Sequence, residues 1–237
     1  MVKIFLGLFA AIVVLHQIFS FLQQSKIDAL EKSKDRGKIT WYVELAKAKG
    51  EKEIAFPSSL IDYAVPRTLD EALAHHDLIL AEVVSSQSFS ATSEISTWYK
   101  LKLIETLSTR TVECFTCPGP SEPPSELLPL NQGEFLISQV GGQVSIDGIR
   151  VISHNTQFPA FEHGKRYLLF LSFDSSKIVA SAPMGPWGAF ISGPDEKLRP
   201  IDSKLMHGVR HELTTRFDDS LTSLRTHLKK ERAAKLN

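Results

Sequence analysis

The sequence is poor in residues that would point to a particular class of protein. Only two of its 237 residues are cysteine, which excludes a disulfide-dense secreted scaffold. Neither sign of charge is in excess, because 27 basic residues balance 27 acidic ones. Nucleic-acid binders usually carry a basic surplus, so we expect no nucleic-acid partner. The length suits one ordinary domain with appendages.

Motifs of common catalytic sites are also missing. The sequence has no GxSxG or SxxK motif of a serine nucleophile. Gly141-Gly142 and Gly185 have no following helix or Lys-Ser/Thr pair, so no phosphate-binding loop is predicted. We therefore predict no catalytic residue and no cofactor, and we favour a protein that is not an enzyme.

The longest apolar run lies at the N-terminus, from Ile4 to Leu22. As a helix it would be about 28 Å long, close to the ~30 Å hydrocarbon core of a bilayer. Lys3 precedes it, and no convincing small-residue cleavage site follows. We predict a single-pass, uncleaved signal-anchor with the bulk of the chain periplasmic or extracellular, or a secreted protein if the N-terminus is cleaved. The alternative is a buried core helix.

Composition divides the chain into four predicted segments. A charged, helical region follows the apolar run, and Gly50 is suited to end its helix. Thr68 with Glu71 forms a capping box that opens another short helix. The segments are a signal-anchor (1–25), a juxtamembrane helical stalk (26–64), a β-barrel domain (65–202) and an amphipathic basic helical tail (203–237).

The central region has the patterns of short β-strands. Apolar residues alternate with polar ones, and the pairs Gly141-Gly142 and Asp147-Gly148 suit two-residue turns that would join three consecutive antiparallel strands. Arg166–Phe173 is too apolar to have a wet face and is expected to be the central strand. Other strands are predicted at Ile79–Val84, Trp98–Leu103, Lys177–Ala182, Trp187–Ser192 and Leu198–Ile201. Such a series favours a sandwich or a small closed barrel.

The C-terminal tail shows one apolar stripe at helical spacing. Asp218-Asp219-Ser220 is expected to break the helix, with Ser220 capping its second half. We expect the stripe to pack on the domain; a protein partner, a homo-oligomer seam and a membrane surface are the alternatives. The stripe consists of Leu205, Val209, Leu213, Phe217, Leu221, Leu224 and Leu228.

Cys114 and Cys117 form a CFTC motif inside a long loop from Ser108 to Asn131. A redox CxxC needs its first thiol at a helix N-terminus, but Pro-Gly-Pro follows here. A structural zinc site needs a second ligand pair, which the sequence lacks. We therefore predict a local disulfide, with an envelope thiol-redox enzyme or hydrolase as the alternative.

The histidines do not form a recognisable metal motif, so no metal site is predicted. His207 and His211 are four residues apart but lack the glutamate of HExxH. Trp187 lies among glycines and prolines and is a candidate contact for a peptide, glycan or base, with Trp98 as a second candidate. The alternative for Trp187 is a side chain that fills a barrel corner.

The combined pattern from Lys49 to Ile201 resembles a group of uncharacterised exported or membrane-anchored bacterial proteins. The segments that carry the resemblance are TLDEALAHHDLILAEVV, STWYKLKLIETL, PPSELLPLNQGEFLISQVGGQVSIDGIRV, FEHGKRYLLFLSF and MGPWGAFI. It implies a barrel of the OB type, comparable to netrin-like or tissue-inhibitor-of-metalloproteinase modules, whose disulfide framework is missing here. It implies no catalytic residue.

Together these observations predict a mainly β protein with flanking helices: an N-terminal transmembrane helix, a small antiparallel OB-like barrel and a C-terminal amphipathic helix. The function that we expect is a membrane-anchored, extracytoplasmic binding or interaction module that is not an enzyme.

Overall fold

A computed structural model describes residues 2–58, 61–63, 65–112, 122–173, 178–202, 204 and 208–236, with side chains from 13 to 234 within those ranges. It is a mixed α/β protein rather than a mainly β one, because five helices accompany ten strands in this part of the chain. The helices are α1 (Val2–Glu31), α2 (Ile39–Lys49), α3 (Leu69–His75), α4 (Gly208–Phe217) and α5 (Leu221–Leu236).

The strands form two sheets. Their bounds are β1 (Glu53–Ala55), β2 (Asp77–Ser90), β3 (Ile95–Ser108), β4 (Glu134–Val140), β5 (Gly142–Ile146), β6 (Ile149–Ser153), β7 (Arg166–Phe173), β8 (Val179–Ser181), β9 (Ala189–Ser192) and β10 (Leu198–Pro200). Contacts divide the chain into two compact units. Unit 1 contains residues 1–58, 89–95 and 141–154, and unit 2 contains residues 59–88, 96–140 and 155–237.

Unit 1 has a small core of its own between helix α2 and a three-stranded sheet in the order β1-β6-β5. Helix α2 ends as predicted at Gly50, whose φ of 72° is left-handed and lets its amide bond back to the last turn. The predicted turn Asp147-Gly148 is confirmed, since Ile146 pairs with Ile149 and both turn residues have positive φ.

The other predicted turn, Gly141-Gly142, is wrong. Strand β4 pairs with β3 and β8, whereas β5 pairs with β6, so the two strands that flank these glycines belong to different sheets. Both glycines have positive φ, 101° and 136°, and the amide of Gly141 donates to the carbonyl of Ile95. The glycines therefore lead the chain out of one sheet and into the other.

Unit 2 contains a closed barrel of five strands in the ring order β2-β3-β4-β8-β7. The pairs β2–β7, β3–β4 and β7–β8 are antiparallel, whereas β4–β8 is parallel, which corrects the expectation of an antiparallel barrel. Strands β9 and β10 extend the sheet beyond β7.

Strand β7 is central, as predicted, because it pairs with β2, β8 and β9. Its alternate side chains enter two different cores. Tyr167, Leu169 and Leu171 lie in the barrel interior, while Leu168 and Phe170 join the core formed with α3, α4 and α5. Burial on both faces explains why this strand has no polar alternation.

The apolar stripe of the C-terminal tail packs into this second core, as expected. Val209 and Leu213 of α4 are buried there together with Leu221 and Leu224 of α5. The predicted break is confirmed: α4 ends at Phe217, and the Ser220 hydroxyl accepts a hydrogen bond from the amide of Ser223 at the start of α5. Leu205 lies outside the described residues, and a partner contact through this tail stays a prediction.

The region of the predicted membrane anchor is only partly described. From Val13 onwards, where side chains are described, none of the helices combines the length and the apolar composition that a membrane span requires. The predicted span runs from Ile4 to Leu22, and the side chains of residues 4–12 lie outside that range. The described residues therefore do not support the anchor, which stays a prediction.

Candidate functional site

One end of the barrel is closed by aromatic side chains from the loop that precedes β7. We call the segment between Phe158 and Glu162 the plug loop. Its residues Phe158 and Phe161 are buried in the barrel interior. The ring of Phe161 makes edge contacts with Tyr99 at 5.1 Å and Tyr167 at 4.8 Å between centroids. The loop is fixed because the amide of Glu162 donates to the Tyr167 hydroxyl over 2.9 Å. These rings form a rigid plug.

Trp187 lies next to this plug. It belongs to a short 3₁₀ turn, Gly185–Gly188, and its amide donates to the carbonyl of Met184. The Tyr63 ring lies 6.1 Å from Trp187 and 6.0 Å from Phe158 between centroids, so it joins the indole to the plug. A Cβ atom on Gly185 would come within 2.4 Å of the Tyr63 ring, and only glycine allows this approach.

Trp187 is half-buried, but its Nε1 atom is buried and has no hydrogen-bond partner among the described residues. A buried donor without a partner costs about 1–3 kcal/mol, and an acceptor that reached it after a local rearrangement would recover this cost. Tyr63 is held near the loop before β7, since the amide of Ile61 donates to Oε1 of Gln157 over 3.0 Å. We call Trp187, Tyr63 and Phe158 the aromatic site.

The three tyrosines in and beside the plug, Tyr63, Tyr99 and Tyr167, remain neutral far above physiological pH. Burial raises the pKa of Tyr99 to about 12, and it also raises the pKa of Tyr167 and Tyr63. Their hydroxyls are therefore hydrogen-bonding groups and not bases. The site offers aromatic faces and a buried indole donor that a ligand can reach only if the surrounding side chains move, and it provides no acid or nucleophile.

The opposite end of the barrel, where β2 begins and β7 ends, contains a buried polar pair instead. Nδ1 of His76 lies 3.2 Å from the hydroxyl of Ser172, and these residues are 4% and 5% exposed. Burial and the neighbouring His75 lower the pKa of His76 to about 4, so its ring is neutral at pH 7. Arg110 bonds the carbonyl of Phe173 and, through its amide, the carboxylate of Asp77.

A serine beside a neutral histidine resembles the first two members of a catalytic triad. The resemblance carries no mechanism here, because both side chains are buried and a substrate has no route to the hydroxyl. We interpret the His76–Ser172 pair as a satisfied polar contact that fixes the start of β2 against β7.

The other predicted site residues have different surroundings. Trp98 is 3% exposed, so its ring does not form part of the surface in this structure, and ligand binding by Trp98 stays a prediction. Cys114, Cys117 and His207 lie outside the described residues, so the local disulfide and the thiol alternative stay predictions. Within the described ranges, no group of three His, Cys, Asp or Glu side chains could hold a metal ion.

The sequence predicts Trp187 as a ligand contact, which stays a prediction, but gives no sign of the residues that surround it. Tyr63 is distant in sequence and lies in a segment without periodicity, and Phe158 and Phe161 lie in a loop that showed no pattern. The spacing of these two phenylalanines within one short loop was the available signal. Comparisons with known proteins give no further guide, since no family model and no curated protein matches the chain.

Proposed function

We propose that the chain is a membrane-anchored, extracytoplasmic binding module without catalytic activity, and that its ligand binds at the aromatic site. The observation that carries the proposal is the buried indole N–H of Trp187, which has no partner in the described part of the chain. A ligand with a hydrogen-bond acceptor and a face that stacks on aromatic rings would satisfy it, as a peptide, glycan or base would.

We also propose that the barrel is of the OB type. When its five strands are numbered from one to five along the chain, their order around the ring is one, two, three, five, four, and strands three and five (β4 and β8) are parallel. This order supports the OB assignment. Barrels of this kind bind ligands on a strand face and on connecting loops, although the fold by itself determines no function.

The exposed surface of α1 supports the membrane attachment. Seven large apolar side chains between Val13 and Leu22 are at least 40% exposed. At about 100° per residue they occupy roughly two thirds of the helix circumference, and His16 and Ser20 lie on the remainder. So wide an apolar surface is typical of a helix that a core or a lipid phase surrounds. The apolar residues that precede Val13 in the sequence continue the same pattern.

Photo-crosslinking from the aromatic site tests the proposed function. Ala160 is exposed in the plug loop, between Phe158 and Phe161, so a diazirine amino acid there reports on ligands of the site. The full chain carrying this label is irradiated in cell envelopes, and adducts are identified by mass spectrometry. We expect one defined class of adduct, which decreases several-fold when Trp187→Ala removes the indole.

A label at the exposed Ser223 of α5 is the matched control, because it lies in the same unit but away from the plug loop. The proposal predicts that this label does not give the adduct. Equal adduct yields from both labels, or a yield that Trp187→Ala leaves unchanged, would remove the aromatic site from consideration.

A further inference from the structure

Helices α1 and α2 of unit 1 run antiparallel and are held together by specific contacts. Nε1 of Trp41 donates to the carbonyl of Leu30 over 2.6 Å, and Nε2 of Gln23 donates to the carbonyl of Ala48 over 2.7 Å. Midway between these contacts, Lys26 lies 3.8 Å from the carboxylate of Glu44. The last two turns of α1 are thus fixed to α2 along its length.

This arrangement places the C-terminal end of α2 beside the point where the apolar part of α1 ends. Ala48 contacts Gln23, which directly follows the exposed residue Leu22. The next residues along the chain, Lys49 to Lys52, therefore lie at the level where the apolar surface of α1 gives way to polar surface.

Lys49 and Lys52 are exposed and form no ion pair with any described carboxylate. Lys47, by contrast, bonds Glu44 and Asp147, both over 2.9 Å, so its charge is already neutralised locally. With Glu51 between them, the two free lysines leave the four residues from Lys49 to Lys52 with one net positive charge (two minus one).

We infer that Leu22 and Gln23 mark the surface of a lipid bilayer, and that Lys49 and Lys52 bind the phosphates of its headgroups. Apolar residues on one side of a boundary and unpaired lysines on the other match the two layers of a membrane surface. The inference rests on the proposed membrane attachment. It makes unit 1 a platform on the bilayer, where the sequence predicts a juxtamembrane helical stalk.

Anionic lipid strengthens this contact. A lysine near an anionic membrane surface gains about 1 kcal/mol, which is roughly a fivefold change in binding. Screening by salt weakens the effect, because the lysines are exposed.

Lysine footprinting tests the inference on the full chain. The protein is reconstituted in nanodiscs of phosphatidylcholine alone or mixed with phosphatidylglycerol, and the acetylation rate of each lysine is measured by mass spectrometry. We expect Lys49 and Lys52 to react several-fold more slowly in the anionic nanodiscs than in the neutral ones. The exposed Lys34 and Lys38 of unit 1, near the opposite end of α2, are internal controls, and their rates should change much less.

The outcomes separate the inference from the attachment on which it rests. If the chain co-elutes with neutral nanodiscs but Lys49 and Lys52 react at the same rate in both lipids, the attachment stands and the headgroup contact is overturned. If the chain does not co-elute with either nanodisc, both are overturned. The double variant Lys49→Gln/Lys52→Gln should still co-elute, since the apolar residues of α1 are intact; loss of co-elution would contradict the division of roles.

Discussion

The two ends of the barrel are closed by different chemistry. One end is filled by aromatic rings, with Phe161 packed between Tyr99 and Tyr167, and Trp187 is connected to these rings through Tyr63 and Phe158. The other end is closed by the buried hydrogen bond between His76 and Ser172. At the polar end the buried groups satisfy each other. At the aromatic end two buried donors, Nε1 of Trp187 and Nδ2 of Asn155, have no partner in the described chain; the Asn155 side chain accepts a hydrogen bond from the amide of Phe158.

Stability and function can therefore be assigned to different groups within one barrel. Two buried groups that bond each other contribute to folding and have no hydrogen bond left for a ligand. A buried donor without a partner lowers the stability of the fold and can still bond an acceptor of a ligand that reaches it. We therefore expect substitutions at the polar end to change folding, and substitutions at the rim of the aromatic end to change binding. Four predictions test this division, in order of decreasing effect.

The largest effect is expected from Phe161→Ala in the plug. Phe161 is 5% exposed, so its removal leaves a cavity among the surrounding rings. Losses of about 3–5 kcal/mol are typical for such a change. Chemical denaturation of the full chain measures the free energy of unfolding, and Phe161→Leu, which retains most of the volume, is the control. A loss below about 1 kcal/mol for the alanine variant would show that the plug is not part of the core.

The second effect is the pH dependence of unfolding that His76 causes. Its pKa is about 4 in the folded chain against an ordinary value of 6.5, so the unfolded chain binds the proton first as the pH falls. Stability is therefore fully present above pH 6.5 and is lost as the pH falls towards 4, by about 3 kcal/mol in all. The free energy of unfolding is measured across this range for the wild type and for His76→Gln. The same pH slope in both chains would contradict the assignment.

A smaller loss is expected for Ser172→Ala, because the buried ring nitrogen of His76 loses its hydroxyl partner. The cost of such an unpaired group is about 2 kcal/mol. Ser181→Ala is the control: the Ser181 hydroxyl makes only a long 3.4 Å bond to the carbonyl of Ser172, so its loss should cost about 0.5 kcal/mol or less. Equal losses from the two variants would mean that the His76 contact has no special role.

The smallest change in stability is expected for Trp187→Phe. This variant removes the unsatisfied N–H and keeps an aromatic ring, so the free energy of unfolding should change by less than about 1 kcal/mol. Thermal and chemical denaturation check this value. A large loss would indicate that the indole N–H has a structural partner after all, and the division between the two ends would break down.

Much of the fold could be predicted from local chemistry. The cap at Thr68 is confirmed, because its hydroxyl accepts from the amide of Glu71, although the Glu71 carboxylate accepts from the amide of Arg67 and not from that of Thr68. The helix break at Ser220 and the turn at Asp147-Gly148 are local features of the same kind. The central position of Arg166–Phe173 followed from its apolar composition. Each of these depends on residues that are near each other in sequence.

What could not be predicted depends on contacts between distant segments. Gly141-Gly142 has the composition of a hairpin turn, and only the pairing of β4 with β8 decides that the chain changes sheet there. Tyr63 and Trp187 are more than a hundred residues apart in the sequence, so no local pattern predicts their contact. The His76–Ser172 hydrogen bond could not be predicted for the same reason, because its partners are separated by 96 positions.

The most direct test of the central claim compares crosslinking from Ala160 in the wild type, in Trp187→Phe and in Ser172→Ala. We predict that Trp187→Phe folds as stably as the wild type but loses most of the adduct, while Ser172→Ala is less stable but keeps it. If adduct yield follows stability, so that Ser172→Ala loses the adduct and Trp187→Phe retains it, the aromatic end is not the binding site.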